Sequence, residues 1–184
     1  MTHETREDPA TGERFVFFWG HASPFSQWHS AAFELAGLRC PTAEHWMMAS
    51  KAMLFGDRDA LAEIVATDDP GTAKRIGRRV RAFDDAVWRE VSPELVYAGN
   101  HAKFTQHATL RAALEATENA TLVEASPTDR IWGIGLSASH PDASNRARWR
   151  GKNRLGVVLT QLRDELRDGT AADRAARAVA RIAH

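Results

Sequence analysis

Apolar positions along the chain fall into two periods. Residues 14–19 (Arg-Phe-Val-Phe-Phe-Trp) form an unbroken aromatic and β-branched run ended by Gly20, which reads as a buried strand. Residues 21–30 form an aromatic-studded loop, and residues 31–40 a short hairpin turning at Ala36-Gly37. The period then becomes helical. A helix with Thr42 as N-cap runs to Phe55 and stops at Gly56. Further helices are predicted over 57–66, over 70–83 (Asp68 or Asp69 as cap, Pro70 in the first turn), over 84–91 and over 93–116. Residues 122–125 read as a short strand, 126–129 as a turn, 131–136 as strand-like with two glycines, and 137–148 as a polar loop. A helix entered through Gly151 covers 152 or 153 to 167, and an Ala/Arg helix covers 171–183. The expected fold class is α+β, a helix-rich single domain with a few short strands over 14–167. A frayed N-terminal arm (1–13) and a C-terminal helical segment (168–184) flank it.

Composition narrows the function classes. The 184 residues carry 24 basic and 24 acidic side chains. Balanced charge argues against non-specific gripping of a phosphate backbone, which works through a basic excess, but leaves room for a local basic patch. No apolar run approaches the ~20 residues that cross a bilayer. The polar, acidic start resembles neither a signal nor a transit peptide. The lone Cys40 excludes an internal disulfide and a multi-cysteine zinc site. A cytoplasmic setting is expected. Six Trp and eight Phe against one Tyr supply flat surfaces suited to a core or to a pocket for a planar ligand.

The helix beginning at Thr42 is apolar nearly all round, the mark of a buried helix. It nevertheless carries Glu44 and Lys51, seven residues apart on one stripe and about 10 Å apart along the axis. Buried ions need partners or a wet cavity. One reading is therefore a cavity along the stripe, with a desolvated, nucleophilic lysine. The other places Glu44 in the first turn for the helix dipole and lets Lys51 snorkel to the surface.

Other motifs are weaker alone. Gly151-Lys152-Asn153-Arg154-Leu155-Gly156, with Arg148 and Arg150 before it, has the ingredients of a phosphate site: glycine, free amides at a helix start and positive charge. It does not match an NTPase P-loop. Asp129 reads as a turn residue, and Trp132 and Trp88 as core. His101 and His107 lie off one helical face and there is no H-E-x-x-H, so no metal is expected. Ser26 lacks a hydrolase elbow, and Cys40 reads as a small buried hydrophobe.

Taken in order, the blocks resemble one family. Phe18-Trp19, Phe25-Ser26-Gln27-Trp28, Thr42-Ala43-Glu44-His45-Trp46-Met47-Met48-Ala49-Ser50-Lys51, Ala73-Lys74-Arg75-Ile76-Gly77-Arg78, Lys103-Phe104-Thr105-Gln106-His107, Leu122-Val123-Glu124-Ala125-Ser126-Pro127-Thr128-Asp129 with Trp132-Gly133, and the Gly151–Gly156 block are similar to the NADAR (YbiA-like) family. The resemblance implies a YbiA-like fold and N-glycosidase activity, either on ribosylamino-pyrimidine intermediates of riboflavin synthesis or on ADP-ribose attached to guanine. It implies catalytic roles for Glu44, Lys51 (attack on the sugar) and Asp129, and a functional Trp88. It also implies substrate contacts from Trp19, Gly20, Phe25, Ser26, Trp132 and Gly133, with Arg150, Lys152, Asn153 and Arg154 holding phosphate. Ile134 stands where the compact branch has an acid, and residues 137–150 are an insertion. Both features favour the longer, ADP-ribosyl branch. The expected partner is an ADP-ribosylated nucleotide or nucleic acid, with no cofactor, no membrane and no obligate protein. A non-catalytic ADP-ribose reader is the alternative of another class.

Overall fold

The computed structural model describes residues 4–182. Its centre is helix α1 (Ala43–Leu54), buried at every position from Ala43 to Ala52. Helices α2 (Arg58–Val65), α3 (Pro70–Gly77) and α4 (Asp85–Gln106) pack around it. Glycines set two of these approaches. A Cβ on Gly77 would lie 2.1 Å from Met48 Sδ, and one on Gly99 2.2 Å from Trp46 Cδ1. The Trp46 indole N–H donates to the Leu95 carbonyl at 2.7 Å, so its single donor is satisfied inside the core.

Strand β2 (Arg14–Phe18) is central in a three-stranded sheet, antiparallel to β1 (Glu4–Glu7) and parallel to β5 (Thr121–Glu124). Strands β3 (Phe33–Leu35) and β4 (Leu38–Cys40) form the expected hairpin. Its turn residues Ala36 and Gly37 have φ of 53° and 75°, as a two-residue turn with matching twist requires. Helix α5 (Ala108–Glu115) leads into β5, α6 (Arg154–Asp168) covers β5, and α7 (Ala171–Ala180) lies on α4. Arg174 fastens α7 by pairing with Glu94 at 2.7 Å and Glu165 at 2.6 Å and stacking 4.1 Å over Tyr97. Among the described residues no helix is long and apolar enough to cross a membrane.

Several expectations need correction. The arm is not frayed over its described part: Glu4–Glu7 pairs with β2, and buried Asp8 closes the turn by accepting from the amides of Gly12 and Ala10. Residues 1–3 lie outside the described residues, as does the expected end of the last helix at 183. The expected helix over 70–83 ends at Gly77, because the following chain turns back to give Arg81 N–H and its guanidinium to Asp57, the cap of α2, at 2.8 and 2.6 Å.

Pro93 does not separate two helices either. It lies inside α4, and the break comes at His107 (φ −126°, ψ 97°). Proline removes the amide that would have bonded the carbonyl four residues earlier. That carbonyl, of Arg89, accepts instead from Arg154 Nη1 at 3.1 Å. Residues 131–136 form no strand: Ile134 N–H reaches Glu124 O at 2.9 Å, but the rest of the open edge of β5 is capped by side chains of α6 and its approach. Thr160 Oγ1 accepts from Leu122 N–H, Asn153 Nδ2 donates to Leu122 O, and Asn153 Oδ1 accepts from Glu124 N–H.

The α1–α4 contact yields a stability prediction. Gly99→Ala should destabilise the fold by roughly 1–3 kcal/mol, because Trp46 has no room to retreat. Urea denaturation measures this, and a variant as stable as wild type would contradict the packing described.

Candidate active site

The loop before α1 is fixed from below. Lys103, fully buried on α4, donates to the carbonyls of Pro24 at 2.7 Å and Ser26 at 2.9 Å, and burial pushes its ammonium down to about 7. The loop's Gln27 carbonyl then receives Glu44 N–H at 2.9 Å, docking the first turn of α1 beneath Trp28.

Beside this turn lies an inner cavity of about 160 Å³, walled by Glu44, Lys51, Met47, Met48, Trp28, Lys74, Glu124, Asp129 and Trp132 among others. It shares Trp28, Lys74, Arg78, Glu124 and Asp129 with an outer cavity of about 1070 Å³ that reaches Trp19, Gly20, Ser26 and Arg130. The stripe of α1 therefore does face a hollow. Lys51 does not snorkel: it is 9% exposed, its Nζ donates to Gly77 O at 2.9 Å, and it sits 3.9 Å from the Phe83 ring centroid and 5.6 Å from that of Trp88. Burial lowers the ammonium pKa. Buried Glu44 is shifted the opposite way. Burial raises its pKa and Asp129 adds to that, while Lys74, 4.0 Å away, and the Trp28 indole N–H pull it down. Asp129 is oriented by its own turn, its Oδ1 accepting from Ile131 N–H at 2.7 Å and Trp132 N–H at 2.8 Å.

The other expected residues distribute unevenly. Trp19, Gly20 and Ser26 line the outer cavity; Trp132 lines the inner one. Trp88 stands behind Lys51 without walling either cavity. Phe25 is core, edge-on to Phe18 at 5.8 Å. Gly133, Arg150, Lys152, Asn153 and Arg154 also lie outside both cavities. The free amides expected there are consumed. Arg150, Lys152, Asn153, Arg154 and Leu155 donate their N–H groups to the carbonyls of Ile134, Arg130, Gly133, Ile131 and Trp132, which removes the anion-binding premise.

A NADAR domain match covers residues 17–167. The chain belongs to the NADAR family. An N-glycosidase of Acanthamoeba polyphaga mimivirus is 40% identical over 164 residues, spanning 83% of this chain and 96% of that protein. The N-glycosidase YbiA of Escherichia coli (strain K12) is 35% identical over 148 residues, 80% of this chain and 82% of its own length. The NMR structure of E. coli YbiA aligns at a TM-score of 0.69 and 30% identity, over 91% of this chain and 90% of that one. The chloroplastic riboflavin biosynthesis protein PYRR of Zea mays is 34% identical over 68% of this chain, which corresponds to 20% of the maize protein.

Within this NADAR domain, the polar and aromatic residues of the inner wall not singled out from sequence are Gln27, Trp28, Lys74, Arg78 and Glu124. Lys74 and Arg78 had a readable signal, since i,i+4 spacing places both on one face of α3. Glu124 had none, because a short strand does not reveal which neighbour its last side chain meets.

Glu124 generates a pH prediction. Burial, and next the charge of Asp129, push its carboxyl from 4.5 up to about 8. The folded chain thus keeps a proton that the unfolded chain releases, and the associated stability is lost as pH rises from near 4.5 to about 8. Glu124→Gln should flatten that decline and exceed wild type in Tm by a growing margin on the alkaline side. Calorimetry across pH checks it, and parallel curves would contradict it.

Proposed function

We propose that the chain is an N-glycosidase that cleaves the C1–N bond between a ribose and an exocyclic base amine, removing ADP-ribose from ADP-ribosylated guanine in a nucleotide or nucleic acid. The carrying observation is the pair of joined cavities: an acid and an amine from one interior helix meet in the small one, which opens into a large one. The small cavity suits a sugar. The large one, at about 1070 Å³, has more room than a single phosphate needs and is walled by Trp19, Trp28, Arg78 and Arg130. Indole faces and guanidinium groups suit a nucleobase and a pyrophosphate.

The substrate's nitrogen still bears hydrogen, so its sugar ring can open to an imine. Lys51, whose ammonium gives up its proton more easily because it is buried, adds to C1 through its free amine. The base amine leaves, and water hydrolyses the resulting lysine imine with Glu44 accepting its proton. Asp129, beside both cavities, orients the ribose hydroxyls; Trp132 and Trp28 wall the sugar and base. Lys74, Arg78 and Arg130 replace the Gly151–Arg154 segment as phosphate contacts. A second reading, hydrolysis of phosphoribosylamino-pyrimidines, is favoured by the maize relative named for riboflavin biosynthesis.

Side-by-side assays of an ADP-ribosylated guanine oligonucleotide and a phosphoribosylamino-pyrimidine separate the two. Release of ADP-ribose from the first, with little ribose 5-phosphate from the second, is expected; the reverse selects the second reading. Glu44→Gln should cut turnover by roughly 10²–10⁴-fold. Lys152→Ala should leave KM unchanged, whereas Arg78→Ala should raise it. A raised KM in Lys152→Ala alone would restore the phosphate site to the helix start.

A further inference from the structure

Glu124 takes no part in the mechanism above, yet three separate stretches of chain hold it. Its N–H donates to Asn153 Oδ1 at 2.9 Å, and its carbonyl accepts from Ile134 N–H at 2.9 Å. On its other side it pairs in register with Phe18. A Cβ on Gly133 would lie 2.9 Å from the Glu124 carbonyl oxygen, so the strap delivering the Ile134 amide passes only as glycine. Asn153 adopts a left-handed φ of 51° to reach its place, a conformation asparagine tolerates. The Gly133 and Asn153 motifs thus converge on the backbone of one residue whose side chain walls both cavities.

That side chain is unlike Glu44. Glu124 Oε2 is buried with no hydrogen-bond partner, and Asp129 and Glu44 both oppose a second negative charge beside them. Glu44 has Lys74 and the Trp28 indole N–H to hold its anion. Two carboxyls in one site with different surroundings divide acid from base work. Of the charges acting on Glu124 only Lys74 favours its anion, and its Oε2 has no donor; Glu44 has that ammonium at 4.0 Å and the Trp28 indole N–H beside it.

We infer that Glu124 is a catalytic proton donor of this site, protonating the exocyclic nitrogen as the C1–N bond breaks. The inference rests on the N-glycosidase reading. Once Lys51 has added, C1 carries two nitrogens. The bond to the base nitrogen breaks, and its electron pair stays on that nitrogen, which takes the Glu124 proton and leaves as the neutral amine. The Lys51 nitrogen pair forms the C1=N bond of an iminium. Water adds to C1 and passes a proton to Glu44. The carbinolamine then collapses to aldehyde and free lysine as its hydroxyl proton moves to nitrogen. Glu44 returns its proton to Glu124 through solvent, and one water is consumed per turnover.

The test compares wild type, Glu124→Gln, Glu124→Asp and Glu44→Gln on an ADP-ribosylated guanine oligonucleotide. Glu124→Gln should lower kcat by roughly 10²–10⁴-fold with little change in KM. It should also erase the alkaline limb of the kcat/KM profile, which in wild type falls above about 8. Glu124→Asp, which keeps an acid, should retain more activity than Glu124→Gln. Infrared difference spectra of wild type against Glu124→Gln should show a protonated carboxyl band at neutral pH, whatever the activity. Wild-type kcat with an unmoved alkaline limb in Glu124→Gln, or absence of that band, overturns the inference and leaves the N-glycosidase reading standing. A wild-type chain that releases neither ADP-ribose nor ribose 5-phosphate overturns both.

Discussion

An ammonium and a carboxylate carried on a helix buried for most of its length impose the main constraint on this structure. Moving either charge out of water is costly unless something replaces the solvent. The fold supplies those replacements separately. Lys51 receives one carbonyl and two aromatic faces, an arrangement that tolerates a cation without neutralising it. Glu44 receives a distant ammonium and an indole N–H. The two are not paired with each other, and the space they leave is the inner cavity.

The surroundings of α1 follow from keeping that hollow in place. Lys103 pins the loop carrying Gln27 and Trp28, while Gly77 and Gly99 let α3 and α4 close on the helix. On the far wall, the helix start at Asn153 and the glycine strap at Gly133 brace β5 and aim Glu124 at the same hollow. The Gly151–Gly156 block braces this wall. Its amides bond the 130–134 strap, its asparagine caps a sheet edge, and its arginine fills the vacancy that Pro93 leaves in α4.

Much of this was legible in the sequence where local chemistry decides it. The hairpin at Ala36-Gly37, the start of α3 beside Asp68-Asp69-Pro70 and the Glu44/Lys51 stripe all depend on spacing within a few residues. The failures share a cause. Pro93 reads as a helix breaker because the arginine that compensates it lies 61 residues further along the chain. Residues 131–136 read as a strand because the side chains that seal the edge of β5 belong to α6. The amides of residues 152–154 read as free for the same reason, since their acceptors sit in another segment. At the site, Glu44, Lys51 and Asp129 were marked, while Glu124, whose significance lies in a missing partner, left no trace in local pattern.

In the proposed reaction Lys51 becomes covalently joined to the sugar within the hollow that α1 faces. Borohydride reduction during turnover, followed by peptide mass mapping, tests it directly. A reduced sugar adduct on Lys51, absent from Lys51→Ala, is expected. Adduct formation that persists in Lys51→Ala, or turnover with nothing trapped in wild type, would contradict it.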